Sequence, residues 1–198
     1  MYARRSGLII GFHGCDLKVR DGIVNGSIPL LKAKNNPWDW LGHGVYFWEN
    51  NPVRALDFAI EQSKRRHPSI INPAVLGAVM DLGYCLDLMD MENIILVKES
   101  FKALEESFKL ADNKKLPENT NPSKAGDLLF RTLDCLVINS LHVEQDKVRP
   151  FDSVKGVFTE GEPIYHKAGF KEKSHIQICI RNPDCIKGYF IPRQKTRP

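Results

Sequence analysis

Two short pieces of this chain carry residues arranged for chemistry. They are Gly11-Phe12-His13-Gly14-Cys15 and the run from Leu41 to Ala59, LGHGVYFWENNPVRALDFA. Helix or strand propensity does not require their order of glycine, aromatic and cap residues. A histidine can give or take a hydrogen bond, and a tyrosine offers a flat face to a planar ring. A glycine lets the backbone approach a ligand with no side chain between. Farther along, Glu160 and Glu162 lie two apart in TEGEPIY, and on an extended segment both point one way. Tyr165, His166 and Phe170 then make the loop IYHKAGFKEK aromatic and basic, which suits stacking on a base or gripping a phosphate. His43 reads as a solvated loop histidine. Asp81, inside AVMDLG, needs a structural partner if it is buried.

Composition narrows the class. A chain of 198 residues, 42% hydrophobic and 26% charged, fits one compact domain, 1–198, with a frayed tail from about 190. No apolar run is long enough to cross a bilayer, and Leu8 to Ile10 is too short for a signal-peptide core, so a cytoplasmic location is expected, away from membranes. The five cysteines contain no CxxC pair, and four sit among apolar neighbours. They read as buried thiols, neither a disulfide framework nor a zinc cluster, with Cys15 the one candidate nucleophile. A net charge of +4 permits an anionic partner without demanding one. No GxGxxG follows a strand and no GxxxxGK[ST] occurs, so the usual nucleotide-binding loops are unsupported.

The elements that must position these residues follow from pattern. Residues 7–12 predict a buried strand entering a tight turn. Asp16 caps a short helix that Gly26 ends, and 27–44 is irregular loop. Asn51 followed by Pro52 starts a helix over 52–66, with Leu56, Ala59, Ile60 and Ser63 on its apolar face. Residues 74–88 predict one long buried strand bent at Gly83. Helices follow over 90–110, with Phe101, Leu104 and Phe108 on one face, and over 127–142, separated by a polar loop at 112–125. The last third holds three short strands, in SVKGVFTEG, HIQICIRN and IKGYFIP. The order β–α–α–β–α–α–β–β–β indicates an α+β fold.

The pair FHG at 12–14 and GHGVYF at 42–47 resembles the nicotinamide pocket of the ADP-ribosyltransferases, in the branch shared by poly-ADP-ribose polymerases and diphtheria toxin. It is more loosely similar to small bacterial toxin or anti-phage transferases. The resemblance implies a split central β-sheet flanked by helices. It also implies an enzyme that consumes NAD⁺ as a substrate, with no metal and no resident cofactor. On this reading His13 hydrogen-bonds a ribose hydroxyl. Tyr46 stacks on the nicotinamide, and the Gly14 backbone holds its carboxamide. Gly44 and Phe47 complete the motif, and Phe58 forms the opposite wall.

The sequence departs from that family at its third catalytic position. Where the family has a Glu opening a late strand, the matching residue here is Gln177. A glutamine bonds ribose hydroxyls but carries no charge toward an oxocarbenium ion and is no general base. Polymer elongation is therefore not expected, and Glu160, Glu162 and Tyr165 become candidates for activating or recognising the acceptor. The implied activity is mono-ADP-ribosyl transfer to a macromolecule, RNA or DNA favoured over protein, by a toxin or defence effector held by an antitoxin protein. Rivals are an NAD⁺ glycohydrolase, an NAD-binding module without catalysis, and an RNA-cleaving toxin using His13 or His166.

Overall fold

The computed structural model describes residues 7–33, 35–111, 115–121 and 127–193. Its elements are β1 (Ile9–Asp16), α1 (Leu17–Val24), β2 (Val45–Glu49), α2 (Pro52–Ser63), β3 (Pro73–Met80), β4 (Cys85–Asp87) and α3 (Met91–Leu110). They continue with β5 (Asn119–Thr120), β6 (Phe130–Arg131), α4 (Thr132–Gln145), β7 (Ser153–Phe158), β8 (His175–Ile180) and β9 (Ile186–Phe190). The fold is α+β: a mixed seven-stranded sheet in the order β4-β7-β8-β2-β1-β3-β9, flanked by helices. Among the described residues, β4–β7 is the one parallel strand pair in this sheet.

The sheet has a seam. β1 pairs with β3 along its whole length, from Ile9↔Met80 to Asp16↔Pro73. With β2 it pairs only through Gly11↔Glu49 and Phe12↔Trp48. The sheet thus consists of two halves joined by two residue pairs, and they part at His13. Phe47, Met80 and Ile178 fill the core on one face. On the other, Leu41, Phe158 and Cys179 pack with Ile138 and Leu141 of α4.

Caps explain the helix starts. Asp16 accepts from the Lys18 amide at 3.0 Å, and its other oxygen takes the amides of Ile71 and Asn72. Asn51 accepts from the Arg54 amide at 3.0 Å, with Pro52 in the first turn. No side chain adjacent in sequence caps α4. Asn119, on β5, accepts from the amides of Leu133 and Asp134 instead.

Several expectations are corrected. β1 continues through His13 and Gly14 to Asp16, with no tight turn, because β3 supplies partners that far. Residues 73–87 form two strands, not one. Gly83, at φ 58°, turns the chain so that β4 joins the opposite edge of the sheet. The buried face of α2 is Arg54, Ala55 and Ala59: of the expected stripe Ala59 is buried, Ile60 and Ser63 are half-buried, and Leu56 is exposed. α4 begins at Thr132, five residues later than expected. The 112–125 loop is described only over 115–121, where β5 lies, and the rest falls outside the described residues. Phe190, expected at the start of a frayed tail, closes β9 and packs edge-on against Phe12; 194–198 lie outside the described residues.

Candidate active site

The three candidate catalytic residues stand on three consecutive strands, Gln177 on β8, Tyr46 on β2 and His13 on β1. At the seam the half-buried His13 donates from Nδ1 to the Tyr46 carbonyl at 2.7 Å, a bond that spans the sheet where strand pairing has stopped. Gln177 lies directly across from Trp48, two residue pairs along from Tyr46↔Cys179. Strand alternation puts Gly14, Tyr46, Trp48 and Gln177 on one face, and His13 with Phe47 on the other.

Tyr46 is held from both ends. Its hydroxyl donates to the Gly42 carbonyl at 2.6 Å and accepts from the Leu41 amide at 2.8 Å. The ring therefore closes the loop that leads into β2, and burial pushes its phenol pKa well above the usual value. Gly42 sits at φ 76° in that loop, packed against Asn139, whose Oδ1 accepts from the His43 amide at 3.0 Å. His43 is thereby tied to α4 through its backbone.

The remaining motif residues divide. Phe47 is wholly buried in the core and offers no surface to a ligand, which corrects its assignment as a substrate-binding residue. Phe58 leans on Trp48, with ring centroids 5.0 Å apart. Gly44 is needed for packing, since a Cβ there would strike the Ile180 carbonyl and the Cys179 sulfur. Gly14 is likewise filled from its side-chain direction, where a Cβ would collide with the Ala55 carbonyl on α2. Gly14→Ala is therefore expected to cost about 1–3 kcal/mol by pushing α2 off the sheet. Urea denaturation measures this, and an unchanged midpoint would mean that α2 does not need the close approach. Cys15 is buried, and desolvation raises its pKa to about 11, which disfavours the thiolate that a nucleophile needs.

The two acidic candidates also separate. Glu160 turns inward and pairs with Arg54 at 2.9 Å, both side chains nearly buried. Glu162 and Tyr165 are exposed on the arm between β7 and β8. The arm turns back on itself through Lys173 N to Glu160 O and Glu172 N to Glu162 O, so the carboxylates do not share a site. Asp81 is half-buried and accepts from the Gly83 amide at 3.1 Å, a turn contact.

Sequence reasoning missed the polar cluster beside Gln177. Arg54 lies over the Trp48 ring, 5.6 Å from its centroid. His175 donates from Nδ1 to the Lys173 carbonyl at 2.6 Å and lies 4.0 Å from Glu160. Burial lowers the His175 pKa, so the ring is held neutral. Within this cluster Trp48 Nε1, Arg54 Nε, His175 Nε2 and Gln177 Oε1 are buried without a protein hydrogen-bond partner. Such atoms cost stability unless something supplies a partner, and they concentrate around the position where the resemblance expects a catalytic carboxylate. On the other face, Glu49 is neutralised by Lys155 at 2.5 Å.

A separate cavity of about 340 Å³ opens between α4, the loop before β2 and the end of β8. His142 of α4 lines it. Burial, then the nearby Arg181 charge, lowers its pKa to about 4. The folded state thus binds its proton near pH 4 and the unfolded chain near 6.5, so stability must fall as pH drops through that window. The loss should reach about 2–3 kcal/mol at pH 4.5 relative to pH 7. His142→Phe should remove most of that slope in denaturant titrations. An unchanged slope would assign it to other groups.

No protein-family profile matches the chain, and no curated protein matches it. Among the described residues, no group of three His, Cys, Asp or Glu side chains is placed to hold a metal ion, and no helix is long and apolar enough to cross a membrane.

Proposed function

We propose that this chain is a mono-ADP-ribosyltransferase that takes NAD⁺ as substrate and passes its ADP-ribose to a macromolecular acceptor. The observation that supports this most is the placement of His13, Tyr46 and Gln177 on adjacent strands, with His13 bonded across the seam to Tyr46. In the reaction the bond between ribose C1′ and the pyridinium nitrogen breaks. Its electron pair returns to the ring, which leaves as neutral nicotinamide. An acceptor lone pair forms the new bond to C1′, and the acceptor proton passes to solvent. Tyr46 and Phe58 bound the nicotinamide and Gln177 bonds the ribose hydroxyls, while His13, whose side chain lies on the opposite face of the sheet, acts by holding the Tyr46 backbone across the seam.

The polar cluster supplies less charge than the family's glutamate would. Gln177 is neutral, and Glu160 is already spent on Arg54. A missing preorganised electrostatic group costs about 10²–10³ in rate. A slow enzyme with an acceptor that is itself a good nucleophile follows from this. Gln177→Ala is expected to lower nicotinamide release at least tenfold, and Gln177→Glu to raise hydrolysis of NAD⁺ by water. Nicotinamide appearance is read by chromatography. A Gln177→Ala chain as active as the wild type would move the third role elsewhere.

A second reading has its own observation. Tyr46 is committed to the loop it clamps, and the nearby carboxylates Glu160 and Glu49 are paired with Arg54 and Lys155. That suits an NAD-binding module without catalysis. Binding of NAD⁺ with no nicotinamide released in any cell extract would favour it.

A further inference from the structure

The arm between β7 and β8, residues 159–174, leads into the strand that carries Gln177. It runs out and back. The Ile164 amide donates to the Phe170 carbonyl at 3.1 Å, and the Lys173 amide donates to the Glu160 carbonyl at 2.8 Å. Its far end is exposed, with Tyr165 and Phe170 open to solvent, whereas its base is held by charge. Arg54 donates from Nη2 to both oxygens of Glu160, at 3.2 and 2.9 Å, on the outgoing side. Lys173 donates to Glu61 Oε1 at 2.8 Å on the returning side. Arg54 Nη1 and Glu61 Oε2 lie 3.9 Å apart, two turns from each other along α2. Glu160, Arg54, Glu61 and Lys173 thus form one chain of alternating charges that ties both ends of the arm to one helix.

An isolated exposed ion pair holds little. Here the pairs are linked, the Arg54–Glu160 pair is nearly buried, and the two arm residues are joined to each other by a backbone bond. The position gives the clamp its meaning. α2 also carries Phe58, the proposed wall of the nicotinamide, between Arg54 and Glu61. Lys173 stands four residues before Gln177. The clamp therefore fixes the spacing between the wall against the leaving group and the arm that enters the catalytic strand. When the bond from C1′ to the pyridinium nitrogen breaks, neutral nicotinamide leaves whatever the acceptor is. The new bond to C1′ then comes from a lone pair of the macromolecule or of water, and the proton of either passes to solvent. Which of them wins depends on how firmly the acceptor is placed and how well water is kept away.

We propose that the clamp formed by Arg54, Glu61, Glu160 and Lys173 is a specificity-determining positioning device: by holding the arm against α2 it favours the macromolecular acceptor over water at C1′. This rests on the transferase reading above, and gives none of the four residues a part in breaking the bond to nicotinamide.

The test uses the intact chain with cell lysate and NAD⁺ labelled in the adenylate half. Arg54 and Glu160 are nearly buried, so the exposed members are changed, as Glu61→Gln and Lys173→Met. Nicotinamide release should stay within about twofold of wild type, while the macromolecular share of the label falls by at least about fivefold and free ADP-ribose rises to match. Lys173→Arg keeps the cation and should partition as wild type does. Hydrogen exchange of the Ile164 and Glu172 amides reads the arm without any activity, and should quicken in Glu61→Gln and Lys173→Met alone. An unchanged partition would overturn this inference and leave the transferase reading standing, whether or not the arm exchanges faster. Release and transfer falling together would make the clamp structural only and also overturn it. So would a changed partition with unchanged arm exchange, since the charges would then act without holding the arm. No nicotinamide released by the wild-type chain would sink the transferase reading and this inference with it.

Discussion

Replacing Tyr46 by alanine is expected to lower nicotinamide release from NAD⁺ by at least about 100-fold, the scale on which misplaced reacting groups lose rate. Two effects combine. The variant loses the ring proposed to lie against nicotinamide. It also loses the hydroxyl that holds Leu41 and Gly42, so the loop leading into β2 comes loose. The variant is therefore also expected to be less stable. Truncating a large aromatic in a packed site costs about 3–5 kcal/mol. Tyr46→Phe separates the effects, because it keeps the ring and forfeits only the two hydrogen bonds. It should lose about 1–3 kcal/mol and retain measurable turnover. Both variants are assayed for nicotinamide release and for urea midpoint. Wild-type activity in Tyr46→Ala would remove Tyr46 from the site.

Breaking the Arg54–Glu160 pair should have an equally large effect on stability. Both side chains are nearly buried, and Arg54 also covers Trp48. Arg54→Ala strands the Glu160 carboxylate beside a neutral His175, a situation that costs about 3–5 kcal/mol. For a chain of this size that is a fall of roughly 6–20 °C in Tm. The double replacement Arg54→Met with Glu160→Leu fills the same space without charge and should recover most of the loss. Calorimetry on the two variants decides. A single variant within about 1 kcal/mol of wild type would show that the pair is solvated and its charge available.

What could be read from sequence follows what was local. The capping residues Asp16 and Asn51, the helix over 91–110 and the late strands rest on short-range signals, and the structure carries them. The split of 73–87 into two strands was not legible, because Gly83 only permits a turn. The reason for it is that Cys85 to Asp87 find partners on β7, some seventy residues away. The remote cap that Asn119 supplies to α4 is hidden for the same reason. At the site, His13, Tyr46 and Gln177 could be nominated from motif order. Which of their neighbours are ligand-facing could not, because Gly14, Gly44 and Phe47 satisfy the motif and the packing with the same atoms. Arg54 and His175 escaped notice because a buried charge is recognised by its partner, and Glu160 lies 106 residues from Arg54.

The central claim is that this chain spends NAD⁺ to modify a macromolecule. The most direct test is incubation of the purified chain with cell lysate and NAD⁺ labelled in the adenylate half, followed by separate nuclease and protease digestion. The account predicts that nicotinamide is released and that label enters the macromolecular fraction, to be freed by nuclease. Label freed only by protease would keep the transferase and overturn the nucleic-acid acceptor. Free ADP-ribose with no macromolecular label would make the chain a glycohydrolase. Intact NAD⁺ with no nicotinamide released would contradict the account altogether.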